Sequence, residues 1–246
     1  MWTGGTQQTG PRAVPRPRVN PPVEQLEFTT QAGAIVFDYR KGAFLPDCET
    51  LLVADLHFEK GSYLQAIGGA PLPTYDTPDT LARLSELMDI YRPKHVAALG
   101  DSFHDTSAGD RMRAADFEAM NALVARVPRF TWILGNHDPD IPAGLAGDQE
   151  DHIECGAFLL THLPTAPFGE VGVNVCGHLH PKVRIKTRRS RLSVPCWAAS
   201  HDRIIMPSFG TFTGGLDVEH PAIANELHGA RAYFATTGKA VVSLAG

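Results

Sequence analysis

The chain has 246 residues and a formal charge of −5, with 43% hydrophobic and 20% charged residues. That is the composition of an ordinary globular protein, with room for one domain with a substantial core or at most two small ones. The slight acidity excludes the overall basic signature of many DNA-binding domains, so any affinity for nucleic acid must come from a local patch. No apolar run approaches the ~20 residues needed to span a bilayer, and prolines and arginines stand where a secretory leader needs an apolar core, so a cytoplasmic location is expected.

Residues 1–22 carry five prolines, three arginines and almost no large aliphatic side chains. Such a segment cannot bury enough surface to offset chain ordering. Residues 1–24 are therefore expected to form a disordered Pro/Arg-rich arm ahead of a single domain over 25–246. From Ile35 onward, short apolar runs alternate with segments of helical period, the pattern of a sheet flanked by helices. Leu81, Leu84, Met88 and Tyr91 predict a helix over 77–91, opened by Thr77-Pro78 and closed by Pro93. A less regular apolar face predicts a second helix over 110–126. The four cysteines, Cys48, Cys155, Cys176 and Cys196, form no CxxC pair and are expected to be free and buried.

Five predicted strands each deliver polar residues at their carboxyl ends. Residues 50–54 lead into Asp55-Leu56-His57, 96–99 into Gly100-Asp101, and 130–134 into Gly135-Asn136-His137-Asp138. Residues 158–160 lead into Thr161-His162, and 173–176 into Gly177-His178-Leu179-His180. Ligands of open α/β sheets sit beyond the carboxyl ends of the strands. Further short runs after His180 predict a second sheet packing on the first.

These side chains suit a pair of divalent cations, which needs mixed oxygen and imidazole ligands, a carboxylate able to bridge, and open positions for substrate. A two-residue step at a strand end can bring Asp55 and His57, or His178 and His180, to the same side. Asp101 is the candidate bridge, and Asn136 can ligate only through its amide oxygen. Glycines ahead of Asp101, Asn136 and His178 would let the backbone turn sharply. Each piece alone is commonly a turn or a cap; five in this order, each closing an apolar run, point to a metal site.

The order Asp-x-His, Gly-Asp, Gly-Asn-His-Asp, His, Gly-His-x-His resembles the calcineurin-like binuclear metallophosphoesterase superfamily, whose fold is a two-sheet αββα sandwich. The resemblance implies one cation held by Asp55, His57, Asp101 and His180, and another by Asp101, Asn136, His162 and His178. It makes His137 a catalytic residue that contacts phosphoryl oxygens and protonates the leaving oxygen, with Asp138 either orienting its ring or serving as a turn residue before Pro139. The stretches 54–61, 99–105, 176–181 and 209–217 are similar to the bacterial ligase-associated DNA-damage-response endonucleases. That narrower likeness implies a Mn²⁺-dependent endonuclease that cuts single-stranded DNA in repair by attack of a metal-bridging hydroxide. A DNA ligase, an exonuclease and a helicase are its implied working partners.

A basic ridge independently favours a long polyanion. Lys182, Arg184, Lys186, Arg188, Arg189 and Arg191 lie within ten residues, and no Asp or Glu occurs between Val171 and His201. Lys182 and Arg184 alternate with Val183 and Ile185, so they share one strand face that could follow a phosphate backbone. Lys60 and Arg203 are further candidate phosphate contacts, and His104 is either a substrate contact or a residue that lies on the surface or behind the site's own side chains. Two alternatives remain: a phosphodiesterase or pyrophosphatase for small nucleotides or nucleotide-linked lipids, and a non-catalytic scaffold of the same fold.

Overall fold

A computed structural model describes residues 23–69, 75–166, 172–186 and 191–245. Residues 1–22 of the arm expected over 1–24 lie outside them, as do Arg188 and Arg189 of the basic ridge, while Val23 and Glu24 are backbone-paired to Val241 and Tyr39 and so belong to the folded domain. Pairing begins at Val23, whose backbone bonds Val241 in both directions.

In chain order the elements are β1 (Gln25–Thr30), β2 (Gly33–Asp38), β3 (Ala43–Leu45), β4 (Thr50–Val53), α1 (Lys60–Ala66), α2 (Asp76–Tyr91) and β5 (His95–Leu99). Next come α3 (Ala108–Arg111), α4 (Ala114–Val124), β6 (Arg129–Ile133), β7 (Asp148–Glu150), β8 (His152–Cys155), β9 (Phe158–Thr161) and β10 (Val173–Cys176). The chain continues through β11 (Lys182–Lys186), β12 (Arg191–Ala199), β13 (Arg203–Ile205), α5 (Pro221–Ala224), β14 (Ala232–Thr236) and β15 (Val241–Ala245). Among the described residues, strands β1 to β7 form one sheet in sequence order. The second sheet runs β15-β14-β12-β13-β10-β9-β8, with β11 paired to β12. The architecture is a two-sheet α/β sandwich in a single domain, as the strand and helix pattern predicts.

Alternation along each central strand divides the core into layers. Leu52, Ala54, Ala97 and Leu99 face the second sheet and meet Leu160, Val175, Trp197, Ile204 and Phe234. Leu51, Val53, Val96 and Ala98 face the other way, onto Leu81, Leu84, Leu87 and Met88 of α2 and Met120 and Leu123 of α4. A period of two on a sheet buried on both faces produces this division. Between the sheets, Phe37 stacks on Trp197 and tilts against Phe234, each with centroids 4.9 Å apart. Each such ring contributes roughly 1.5–3 kcal/mol on burial.

Two sequence expectations are corrected. The helix predicted over 110–126 is two helices, because Met112 and Arg113 are extended, with ψ of 134° and 141°. Arg113 there bonds the Asp116 carboxylate at 2.7 and 3.0 Å, restarting the chain as α4. Of the four cysteines expected to be free, Cys48 and Cys155 form a disulfide with Cα atoms 6.2 Å apart. One lies ahead of β4 and the other ends β8, where the two sheets face each other. Cys176 and Cys196 are free and buried.

Candidate metal centre

Strands β4, β5 and β6 run parallel, as do β9 and β10, so five carboxyl ends reach one rim. The backbone ladder continues past them: Asp55 N bonds Gly100 O at 3.1 Å, His57 N bonds Asp101 O at 3.0 Å, and Gly177 N bonds His162 O at 3.1 Å. These bonds hold the loops in strand register while individual residues turn out of it. Asp55, His57, Asp101, His178 and His180 all adopt left-handed φ values, between 46° and 70°. For residues with a Cβ that conformation costs about 1–3 kcal/mol each, and such strain concentrates at functional sites. The expectation that glycines supply the turns holds at Gly100 (φ 74°), where an added Cβ would also lie 2.3 Å from the His162 ring. Gly135 instead provides room, since a Cβ there would fall 2.2 Å from the Asp101 nitrogen.

The rim gathers two groups of donors, each with ligand atoms within 4.8 Å of one another: Asp55, His57 and His180, and Asp101, His162 and His178. In the first, Nε2 of His180 lies 3.1 Å from Asp55 Oδ1 and 3.4 Å from Nε2 of His57. Both Asp55 oxygens also accept from the His178 N–H at 3.0 Å. In the second, His162 Nδ1 lies 3.0 Å from the Leu99 carbonyl, so a proton on Nδ1 leaves Nε2 with its lone pair. That lone pair points at Asn136 Oδ1, 3.0 Å away, and Asp101 Oδ1, 3.3 Å away. Three converging acceptors repel one another unless a proton or cation lies among them. The donor set of imidazole, carboxylate and amide oxygen fits a divalent cation.

The electrostatics arise from burial and these contacts. Burial alone would lower the His162 pKa, but the Asp101 hydrogen bond and the Asp55 and Asp101 charges win and raise it to about 9. Burial opposes Asp101 ionisation, yet its bonds to His162 and to the His137 N–H hold it at about 2. His57 is driven the other way, well below the usual histidine range, first by burial and then by His180.

The remaining predicted residues divide. His137 is at the rim, its ring packed edge-on to His57 and its Nε2 3.9 Å from Asp101 Oδ2. Asp138 does not touch the His137 ring: its Oδ2 accepts from the Ser102 and Phe103 N–H at 2.6 and 3.0 Å, and its Oδ1 from Gly135 at 3.1 Å. It is a buried clasp between the Asp101 and Asn136 loops, which replaces the ring-orienting reading and keeps, through its bond to Gly135, the structural one. Arg203 is also corrected. It is 5% exposed, bonds Asn174 Oδ1, the Thr165 carbonyl and the Glu226 carbonyl, and pairs with the Glu226 carboxylate, leaving no face for phosphate.

Lys60 opens α1 at the site; burial lowers its pKa, and its charge in turn depresses His57 and His104. Lys182 lines a cavity of about 120 Å³ shared with His180, Ser208 and Gly210. Arg184 is exposed but tied to Asp217 at 2.9 Å, so it faces solvent as half of an ion pair. His104 stacks on His137 with centroids 5.6 Å apart and meets Tyr63 edge-on at 4.6 Å, which places it at the site, against the ring of His137. Sequence reasoning marked 209–217 only by resemblance and missed that 208–210 bonds the backbone behind Asp55: Ser208 Oγ to Asp55 O at 2.7 Å and Gly210 N to Asp55 O at 3.1 Å. Only the close-packed glycine at 210 signals it, since a Cβ there would lie 2.3 Å from the Leu56 carbonyl.

The model of the calcineurin-like phosphoesterase family matches residues 49–182, which contain every residue of both donor groups. Among solved structures the chain is similar to the Pseudomonas putida nuclease MPE, at 25% identity and a TM-score of 0.69, covering 88% of this chain and 99% of that one. It is also similar to YfcE, a phosphoesterase from E. coli, at 16% identity and a TM-score of 0.41, covering 78% of this chain and 95% of that one. No curated protein matches. With more than half its length matched and its site residues inside the match, the chain belongs to the calcineurin-like phosphoesterase family.

Proposed function

We propose that the protein is a divalent-metal-dependent endonuclease that cuts single-stranded DNA. The observation that carries this is the pair of donor groups on one rim with His137 beside them. Asp55, His57 and His180 would hold one cation, Asn136, His162 and His178 the other, and Asp101 would be shared. Bound there, two cations neutralise phosphate oxygens and lower the pKa of water, which makes Mn²⁺ a suitable cofactor. The chain's own residues do the rest. His137 bonds a phosphoryl oxygen and passes the proton on Nε2 to the leaving oxygen. Lys60 and Lys182 draw in neighbouring phosphates, and Asp138 keeps the Asp101 and Asn136 loops in place.

The likeness to a nuclease at 25% identity supports a nucleic acid as the substrate, as do the lysines beside the site, and the resemblance of 54–61, 99–105, 176–181 and 209–217 narrows it to DNA. A role in cytoplasmic DNA repair with a ligase, an exonuclease and a helicase extends that reading. One observation favours a small phosphodiester instead: the Arg184–Asp217 pair removes a free cation from the ridge. Purified protein with Mn²⁺ should be given circular single-stranded DNA, duplex DNA and a chromogenic phosphodiester. Opening of the circle is expected, since an endonuclease needs no end; turnover of the small diester with every DNA left intact overturns the proposal.

A further inference from the structure

On the Asn136–His162 side of the site lies a cavity of about 550 Å³, within the roughly 300–1,000 Å³ usual for small-ligand pockets. Its lining differs from the rest of the rim. Leu134, Pro139, Leu159 and Leu163 supply apolar walls, Asp151 and His152 supply a carboxylate and an imidazole, and no described lining residue is Lys or Arg. Leu163 is 48% exposed, an apolar surface at the mouth with room for a flat partner. The cavity's charged and titratable groups are the Asp151 carboxylate and the His152 and His162 imidazoles, with no Lys or Arg to follow a phosphate backbone, so away from His162 it is poorly suited to a polyanion. A planar, neutral group with polar edges fits it: its faces lie on the leucines, and its amino hydrogens reach Asp151.

We propose that this cavity receives the nucleobase next to the scissile phosphate. The inference rests on the nuclease reading above and deepens it. Asn136 and His162 are walls of the cavity and also members of the donor set, so a base seated there hangs from a sugar whose phosphate reaches the cations. A base can enter only if it leaves the stack, which is cheap in a single strand and costly in a duplex. Preference for single strands then arises in the cavity, while the lysines bind any backbone.

The test uses one single-stranded oligonucleotide with a run of deoxycytidylates and a run of abasic deoxyribose phosphates of equal length, cut in the presence of Mn²⁺ and mapped on a gel. The wild-type protein is expected to cut the deoxycytidylate run about ten-fold or more faster, the scale of one base contact. Thr165→Trp fills the cavity from an exposed position on its lining, and should bring the ratio close to one. Equal cutting of the two runs by wild type, or an unchanged ratio in Thr165→Trp, overturns the base site and leaves the nuclease reading standing. Failure to cut either run overturns both.

Discussion

At the scale of single residues, the rim separates side chains that face substrate from side chains that hold the loops. His137 is partly exposed and makes no hydrogen bond to a metal-facing atom through its ring, whereas the donors of both groups converge on one another. His137→Ala should therefore lower kcat by roughly 10²–10⁴-fold, the usual worth of a positioned acid, while retaining the wild-type metal content. Metal analysis of the purified variant checks this, and loss of an ion would reassign His137. Asp138 behaves oppositely. Removing its carboxylate in Asp138→Ala strands the N–H groups of Ser102, Phe103 and Gly135. At about 1–3 kcal/mol for each unsatisfied buried donor, a stability loss of about 3 kcal/mol or more is expected in urea unfolding. A loss under about 1 kcal/mol would mean that water replaces the clasp.

At the scale of elements, a residue's place at a strand end was legible and its long-range partner was not. Asp55, Asp101, Asn136, His162 and His178 each follow an apolar run, and that local signal sufficed to anticipate their gathering on one rim. The clasp by Asp138 reaches 36 residues back to Ser102, and the burial of Arg203 depends on Glu226, 23 residues on; no local pattern reports either. Strand β7 was invisible because all three of its residues are exposed. Pairing between β5 and β6 carries a pH dependence of its own. His95 Nε2 lies 2.9 Å from Thr131 Oγ1 at the strand ends opposite the metal rim. Burial, aided by Arg129, pushes its pKa down to about 4. The folded value lies below the unfolded value near 6.5, so the unfolded chain binds the proton more readily between them. The contribution is complete above about pH 6.5 and is lost as pH falls toward 4. His95→Gln should lose less stability than wild type between pH 7 and 4.5, measured as the shift in urea midpoint. Parallel curves for the two proteins would rule the contribution out.

At the scale of the molecule, the site is split between the sheets. Asp55, His57, Asp101 and Asn136 follow strands of the first sheet, and His162, His178 and His180 follow strands of the second. Each donor group needs members from both, because Asp55 and His57 meet His180, and Asp101 meets His162 and His178. A cation bound by either group therefore ties one sheet to the other at the open end of the sandwich, with the Phe37–Trp197–Phe234 stack acting between them deeper in. Unfolding separates the sheets and destroys both groups, so binding to the folded chain is linked to its stability. At a free metal concentration one hundred times the dissociation constant the gain is about 2.7 kcal/mol per ion. For a chain of this size one kcal/mol moves Tm by roughly 2–4 °C, so saturating Mn²⁺ should raise Tm by about 5 °C or more over a chelated sample. His180→Ala and Asp101→Ala should each remove part of that rise, the second more, since Asp101 is the proposed shared ligand. A Tm that does not respond to Mn²⁺ or chelator would show that the two sheets are not joined through bound metal.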